Sequence, residues 1–204
     1  MEWYVRQTDT PNALVLIAHP DDETIFCGGL MLEFPSWNWK IVCMSNNKSS
    51  RRGLQFYSAI NKYKSLRVNI IDAIMLQHPD EVRFPSPREK VGWRKSLTDL
   101  NLSPEIVFTH NRKGDYGHPY HITLNSIARK LYSNIWEFLL VGGPYITTPP
   151  VLSVVNGLPL SKKRMKQKED IFNMCYTSEL YLWTKEFKLL SAAFSSGIEF
   201  YTHI

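Results

Sequence analysis

Two short segments of the chain place imidazole and carboxylate groups three residues apart. In the first segment, AHPDDE at residues 18–23, one turn of backbone can direct His19 and Asp22 to a single point and leaves Asp21 for another role. One imidazole and one carboxylate form half of a catalytic zinc site, which commonly has three protein ligands and an open position for water. The segment therefore predicts part of a metal site.

The second segment, GDYGHPYH at residues 114–121, supplies the best candidate for a third ligand. His118 and His121 are again three residues apart and share one face of a predicted helix start. His110 is the next choice, because it ends the apolar strand before this segment. Either segment alone is equally well explained as a capped helix start. The two segments together, each following a predicted strand, favour a metal site.

Parallel strands must position these segments. The apolar runs 13–17 and 106–109 are typical of parallel strands buried on both faces, and open α/β sheets bind ligands at the carboxyl ends of such strands. The alternation along the chain predicts an α/β fold, with a Rossmann-like, mostly parallel sheet flanked by helices in a single domain. The predicted strands are Ala13–Ala18, Ile41–Ser45, Asn69–Leu76, Ile106–His110, Phe138–Val141 and Val151–Val155. The predicted helices are Thr24–Phe34, Gly53–Lys64, Arg88–Leu100, Pro119–Tyr132 and Ser161–Tyr181.

The two histidine motifs resemble those of the PIG-L/LmbE-like zinc-dependent N-deacetylases. Weaker likenesses lie in Cys43–Asn47 with the arginines that follow, and in the segment Lys168–Glu179, so that the resemblance spans most of the chain. It implies a single deacetylase domain over residues 1–204. It also implies a zinc-dependent hydrolase that removes the N-acetyl group from an N-acetylglucosamine-type sugar conjugate.

Carried over by position, the resemblance assigns a role to five residues of the two motifs. A zinc ion lowers the pKa of its bound water and polarises an amide carbonyl. A carboxylate beside that water takes its proton, and an imidazole opposite stabilises the tetrahedral oxyanion. The implied zinc ligands are His19, Asp22 and His121, with Asp21 as the general base and His118 as the oxyanion-stabilising residue.

Tyr120 departs from the family pattern, which commonly has an aspartate here to tune the oxyanion-stabilising histidine. A carboxylate would raise the pKa of His118, and a tyrosine near neutral pH does not. Either Asp115 replaces that carboxylate or His118 works with a lower pKa. Two alternative functions follow: a catalytically impaired sugar-binding module, and a metal-dependent esterase that uses the same site. The ligand set also suits another divalent metal, such as Fe2+.

The loop from Asn46 to Arg52 follows the second predicted strand and should face the same cleft. Its amides and guanidinium groups suit sugar hydroxyls together with a phosphate or carboxylate, while Ser49 or Ser50 suits the cap of the next helix. We therefore expect a small acetylated sugar or sugar conjugate as the partner. The predicted substrate-binding residues are Asn46, Arg51, Arg52 and Asp115.

Composition limits the other classes of function. A chain of 204 residues with 44% hydrophobic residues fits one domain with a sizeable core. The net charge of +5 equals the contribution of one basic cluster and does not indicate nucleic-acid binding. A solvated helix face is the first interpretation of this cluster, ahead of a docking surface for anionic lipid or phosphorylated sugar. The cluster consists of Lys162, Lys163, Arg164, Lys166 and Lys168.

Other sequence features bear on cellular location. Three cysteines with no C-x-x-C spacing argue against a disulfide framework or a thiolate zinc site and predict a reducing compartment. The amino terminus lacks the charged-then-apolar order of a signal peptide, and the apolar runs fall short of the ~20 residues that span a bilayer. We expect a cytoplasmic protein without a transmembrane segment.

Gly28–Gly29 predicts close packing of the first helix rather than a dinucleotide fingerprint.

Overall fold

Strands and helices alternate along the chain in the computed structural model, which describes residues 10–80, 83–139, 155–179 and 198–203. The strands are β1 (Asn12–Ile17), β2 (Asn38–Ser45), β3 (Ile70–His78), β4 (Ile106–Thr109), β5 (Ile135–Leu139), β6 (Val155–Pro159) and β7 (Ile198–His203). The helices are α1 (Asp22–Glu33), α2 (Arg51–Ser65), α3 (Pro87–Asp99), α4 (Pro119–Leu131) and α5 (Lys162–Cys175).

The strands form one sheet in the order β3-β2-β1-β4-β5-β7-β6. The first five strands are parallel, whereas β7 pairs antiparallel with both β5 and β6. The predicted Rossmann-like, mostly parallel α/β fold is therefore confirmed. The strand order reverses between β1 and β4, and open α/β sheets bind ligands at such a switch point. The two histidine segments follow these two strands.

Helices cover both faces of the sheet. Successive side chains of β1 point to opposite faces, yet all of them from Ala13 to Ile17 are buried. Val15 and Ile17 belong to the core on the side of α1, α2 and α5, whereas Leu14 and Leu16 belong to the core on the side of α3 and α4. This two-sided burial is the reason that the strand is an unbroken apolar run.

Side chains cap the helices that follow β2 and β4. Ser50 caps α2, because its side chain accepts a hydrogen bond from the Gly53 amide at 3.0 Å. His118 caps α4, and Pro119 occupies the first turn, where its missing N–H leaves no hydrogen bond unmade. The cap predicted for Ser49 or Ser50 is thus formed by Ser50.

The carboxyl-terminal third differs most from the sequence prediction. The strand β5 begins at Ile135 rather than Phe138, and β7 is an additional strand. The helix α5 ends at Cys175, because Tyr176 leaves helical geometry with φ −106° and ψ 44°. Parts of the predicted strands and of the last helix, at residues 140–141, 151–154 and 180–181, lie outside the described residues.

The basic cluster on α5 is not a single surface. Lys168 is buried, with its Nζ 2.8 Å from Oε1 of Glu199. Lys166 is exposed and pairs with Asp170 one helical turn later at 3.0 Å. The interpretation of all five basic residues as one exposed face is therefore wrong, because the last of them belongs to the interior.

Gly28 and Gly29 allow close packing of α1 against side chains of neighbouring elements, and at Gly28 these belong to helices rather than to the sheet. A Cβ atom at Gly28 would lie 2.5 Å from the hydroxyl of Tyr63 on α2, and one at Gly29 would lie 2.8 Å from the carboxyl carbon of Glu199 on β7. The close neighbours are thus side chains from the surrounding elements.

Two helical glycines provide a matched test of local packing. A Cβ atom at Gly53 would overlap the carbonyl oxygen of Asn47 and lie 2.9 Å from that of Lys48, whereas one at Gly92 would meet no atom within 4 Å. Gly53→Ala should therefore lower the free energy of unfolding by about 1–3 kcal/mol. Gly92→Ala should raise it by about 0.5–1 kcal/mol, because alanine restricts the unfolded chain. Urea denaturation of both variants measures the difference, and equal effects would contradict the packing at Gly53.

Among the described residues, no helix has the length and apolar composition that a membrane span requires. Cys27, Cys43 and Cys175 are free thiols, and all three are buried.

Candidate metal centre

Three donor atoms from the two histidine segments converge at the carboxyl ends of β1 and β4. Nδ1 of His19 lies 3.1 Å from Nε2 of His121 and 3.4 Å from Oδ2 of Asp22. Nε2 of His121 lies 3.5 Å from the same carboxylate oxygen, and all three residues are buried. The two histidines are 102 positions apart in sequence and meet because β1 and β4 are neighbours in the sheet.

The spacing of these atoms fits a small divalent cation. Ligand atoms about 2.1 Å from a tetrahedral zinc ion lie about 3.4 Å from one another, close to the observed 3.1, 3.4 and 3.5 Å. Oδ1 of Asp22 is buried and has no hydrogen-bond partner among the described residues. A buried oxygen without a partner is costly unless a cation or another donor satisfies it. The residues present therefore fit a metal ion with one open coordination position.

The charges around these donors also favour a cation. Burial opposes protonation of His19, but Asp22 and Asp80 raise its pKa to about 9. Burial and the neighbouring His110 lower the pKa of His121 to about 4, so its neutral ring offers a lone pair. Burial alone would raise the pKa of the Asp22 carboxyl, but His121 and His110 hold it well below its usual range. The site thus combines an ionised carboxylate with the neutral imidazole of His121.

Asp21 lies beside the donors in a strained backbone conformation. Its φ of 105° is in the left-handed region, which costs a residue other than glycine about 1–3 kcal/mol. The residue precedes α1 but its side chain makes no capping bond, and its Oδ2 lies 3.3 Å from Nη2 of Arg52. Burial raises the pKa of Asp21 well above its usual range, against the charge of Arg52. Such a carboxyl group is suited to proton transfer near neutral pH.

Glu23 holds the strained turn in place. Its Oε2 accepts the backbone N–H of Asp21 at 3.1 Å, and its Oε1 accepts the hydroxyls of Thr24 at 2.7 Å and Tyr176 at 2.5 Å. Burial raises the pKa of Glu23 to about 7, against these hydrogen bonds. The turn that carries Asp21 is thus tied to the end of α5.

His118 faces the centre as a neutral ring. Its Nδ1 accepts the backbone N–H of Tyr120 at 3.2 Å, so the ring proton is on Nε2. Its ring centroid lies 4.5 Å from that of His19. Burial and the nearby His121 and His19 lower the pKa of His118 to about 3. The ring therefore offers one N–H donor without a positive charge.

Comparison with protein families gives a direct match. The family described as PIG-L, GlcNAc-PI de-N-acetylase, matches residues 14–132, which is more than half of the chain. The chain belongs to the PIG-L family. The matched region contains both histidine segments, and a deacetylase domain that extends over residues 1–204 stays a prediction.

One curated relative is named as a deacetylase of an acetamido sugar. It is the 1D-myo-inositol 2-acetamido-2-deoxy-alpha-D-glucopyranoside deacetylase of Segniliparus rotundus, which is 25% identical over 161 residues. The alignment covers 61% of this chain and 51% of the relative. The chain spans about half the length of the curated relatives it matches.

Solved structures share the fold across nearly the whole chain. The A40926 pseudoaglycone deacetylase has a TM-score of 0.71 at 12% identity, and the match covers 96% of this chain and 97% of the deacetylase chain. The 4-carboxy-2-hydroxymuconate hydratase of Pseudomonas putida has a TM-score of 0.56 at 13% identity, with coverages of 94% and 95%. A fold that is shared by a deacetylase and a hydratase does not determine the reaction. Evidence for the reaction must therefore come from the residues of the site.

Asp115 is not placed as predicted. Its side chain is fully buried, with Oδ2 2.6 Å from Nδ1 of His110 and 2.8 Å from Nδ1 of His121, while Oδ1 accepts the side-chain amide of Asn111 at 3.0 Å. The prediction of a substrate contact is therefore wrong, because both oxygens are hydrogen-bonded to buried side chains and the Asp115 side chain has no exposed surface. Asp115 also does not replace the family aspartate, since its partners are His110 and His121 rather than His118.

His110, predicted only as the second choice for the third ligand, also lies at the centre. Its Nε2 lies 3.2 Å from Oδ2 of Asp22, and its ring stacks on His121 with centroids 3.6 Å apart. Two groups of donor atoms could hold a metal ion, one formed by His19, His118 and His121 and the other by Asp22, His110 and His121. The one signal in the sequence was its place at the end of β4.

Arg52 organises the rim of the site. Its guanidinium group lies 2.8 Å from Asp80, 3.3 Å from Asp21 and 3.4 Å from Glu179. Asn46 donates to the same Asp80 carboxylate at 2.8 Å. Arg51 is exposed beside this network. Substrate binding by Asn46, Arg51 and Arg52 stays a prediction.

Proposed function

We propose that this protein is a zinc-dependent N-deacetylase that hydrolyses the N-acetyl group of an N-acetylglucosamine-type sugar conjugate. The observation that carries the proposal is the tetrahedral spacing of three buried donor atoms, 3.1–3.5 Å apart, beside the Asp21 carboxyl group. Membership of the PIG-L family and the sugar named in the Segniliparus rotundus relative support amide hydrolysis on an amino sugar.

His19, Asp22 and His121 would hold the metal through Nδ1, Oδ2 and Nε2. A divalent cation here lowers the pKa of water and polarises an acyl carbonyl. Zinc is the first choice for two imidazoles and a carboxylate, and Fe2+ is the alternative.

Asp21 would act as the general base and then as the general acid. Its carboxylate takes a proton from the attacking water, and the resulting carboxylic acid returns a proton to the amine as the C–N bond breaks. Its raised pKa suits the first step, because a stronger base takes the proton more readily. The contact with Arg52 supports the ionised form between turnovers.

His118 would stabilise the oxyanion as a neutral donor. Its Nε2–H remains available because Nδ1 accepts the Tyr120 amide, and one such donor is typically worth about 3 kcal/mol in the transition state. The N–H of a neutral imidazole is too weak an acid to protonate the amine, so this step is assigned to Asp21.

The rim residues would bind the sugar. Asn46 and Arg52 have side chains within the network around Asp80, and Arg51 lies exposed at the start of α2. Amide and guanidinium donors of this kind suit sugar hydroxyls and an anionic substituent.

Acetate release tests the proposal directly. The protein, stripped with a chelator and reloaded with Zn2+ or with Fe2+ under anaerobic conditions, should release acetate and a free amine from an N-acetylglucosamine conjugate. The chelated protein should not, because three donor atoms without a cation cannot polarise the carbonyl. Sugar binding without acetate release in either metal form would favour the impaired binding module. Acetate released only from an O-acetylated sugar would favour the esterase.

A further inference from the structure

The Asp115 carboxylate lies behind the proposed metal ligands and joins two stacked imidazole rings. Its Oδ2 is 2.6 Å from Nδ1 of His110 and 2.8 Å from Nδ1 of His121. The two imidazole rings are 21° from parallel, with centroids 3.6 Å apart. Phe26 packs edge-to-face against both of them, with its ring centroid 5.6 Å from that of His110 and 6.2 Å from that of His121. No part of the Asp115 side chain is exposed to solvent. It therefore does not contact a substrate.

We infer that Asp115 is a positioning residue for the metal site, acting on His121 directly and on Asp22 through His110. The inference rests on the proposed function only in taking His19, Asp22 and His121 as metal ligands. Metal affinity measures the proposed role of Asp115 and His110 directly, whether or not the protein hydrolyses a sugar.

The direct path sets which nitrogen of His121 faces the site. A carboxylate accepts hydrogen bonds, so Nδ1 of His121 must carry the proton that Asp115 accepts. The lone pair is then on Nε2, the atom 3.1 Å from Nδ1 of His19 and 3.5 Å from Oδ2 of Asp22. A carboxylate on the far nitrogen of a metal-binding histidine fixes both the tautomer and the ring orientation.

The indirect path passes through His110. Its Nδ1 donates to Asp115, and its Nε2 accepts the backbone N–H of Ala18 at 3.1 Å. Nε2 thus contacts the end of β1, and it also lies 3.2 Å from Oδ2 of Asp22. The ring therefore holds the end of β1, the Asp22 carboxylate and the Asp115 loop at fixed distances from one another.

The loop around Asp115 is built to hold that carboxylate. Asp115 and Gly114 both have positive φ, 63° and 75°. The side-chain oxygen of Asn111 accepts the amides of Lys113 and Asp115 at 2.8 and 3.1 Å, while its Nδ2 donates to Oδ1 of Asp115 at 3.0 Å and to the Phe138 carbonyl at 2.9 Å. A strained turn held by this many bonds fixes a side chain more firmly than an exposed loop does.

Metal affinity measured by competition with a chromophoric chelator tests the inference. Asp115→Asn preserves size and tolerates positive φ, but it removes the negative charge, and its NH2 group must face either the two imidazole N–H groups or the Asn111 amide, which are all donors. Its affinity for Zn2+ should fall about 10- to 100-fold. His110→Asn keeps a donor toward Asp115 and removes the ring atom beside Asp22, so a smaller loss is expected. The absorption spectrum of bound Co2+ should keep the wild-type coordination number in both variants.

Controls separate positioning from a general role in folding. Asp72→Asn removes a carboxylate from the exposed edge of β3 and should bind Zn2+ like the wild type. Thermal melts of the metal-free proteins show whether each variant folds, and all affinities are measured well below the melting temperature. Lower apo stability with wild-type affinity would mean that Asp115 is merely structural, and the inference would be overturned. If Asp115→Asn does not fold, wild-type affinity in His110→Asn overturns it.

The same experiment distinguishes this inference from the proposed function. Weaker metal binding in Asp115→Asn, in a wild-type protein that releases no acetate, would remove the proposed deacetylase and leave the inference standing. An active wild type, together with unchanged metal affinity in Asp115→Asn, would leave the proposed deacetylase standing and remove the inference. A Co2+ spectrum that loses a ligand in His110→Asn would make His110 a ligand and contradict the indirect path.

Discussion

Asp21→Asn should slow acetate release by about 10²- to 10⁴-fold, the usual contribution of a positioned general base. Metal content should stay at the wild-type level, because Asp21 donates no atom to the group formed by His19, Asp22 and His121. The substitution is well suited to this backbone. Asparagine tolerates positive φ better than most residues, so the φ of 105° adds little new strain. The rate loss therefore reports the carboxyl group.

Glu179→Gln is the matched control for charge. Glu179 is a buried carboxylate 3.4 Å from Arg52, and it shares that guanidinium with Asp21. If Asp21 served only to neutralise Arg52, both variants would lose activity to a similar extent. We expect Glu179→Gln to stay within a few-fold of the wild type. A wild-type rate in Asp21→Asn, with metal bound, would exclude Asp21 as the base.

The pH dependence gives a second readout of the same substitution. Burial raises the pKa of Asp21 above the usual carboxyl range, and the base must be ionised to accept a proton. The wild-type kcat/KM should therefore fall as the pH decreases through that pKa, at a less acidic pH than an exposed aspartate would give. The residual activity of Asp21→Asn should lack this acid limb. His118 should add no limb near neutral pH, because its pKa is about 3.

The local part of the site was predictable from the sequence. The apolar run 13–17 and the motif that follows it specify a buried parallel strand, a sharp turn and a helix start within a few residues of one another. The same holds for the second strand and the segment that ends in His121. Parallel strands bring their carboxyl ends to one edge, so the convergence of the two motifs follows from the α/β alternation alone.

The supporting groups were not predictable, because their partners come from distant positions. His110 is held by Ala18, 92 residues away, and by an aspartate whose direction depends on a turn with positive φ. Nothing in the local pattern distinguishes Asp115 as a substrate contact from Asp115 as a buried support. The strand β7 pairs antiparallel at the far side of the sheet, where alternation of helices and strands gives no guide.

The pair formed by Lys168 and Glu199 was also not predictable from the sequence, because its partners are distant along the chain. We expect its disruption to have the largest effect on stability. Both side chains are buried, and their charged atoms are 2.8 Å apart. Glu199 also accepts the backbone amides of Gly29 and Leu30 at 2.7 Å and the hydroxyl of Tyr201 at 2.7 Å. The carboxylate thus ties β7 and α5 to the middle of α1, the helix that begins directly after the proposed catalytic aspartate.

Lys168→Met should lower the free energy of unfolding by about 3–5 kcal/mol, because it leaves the Glu199 carboxylate buried without its counter-charge. Methionine retains most of the length and the apolar stem, so lost packing contributes little. Denaturant unfolding with and without metal measures the loss. Lys166→Met, two positions earlier on the same helix, removes an exposed lysine that pairs with Asp170 and should change stability little. Similar small losses in both variants would mean that the hydrogen bonds from α1 and Tyr201 suffice to hold the carboxylate, and that the buried lysine is not needed to compensate its charge.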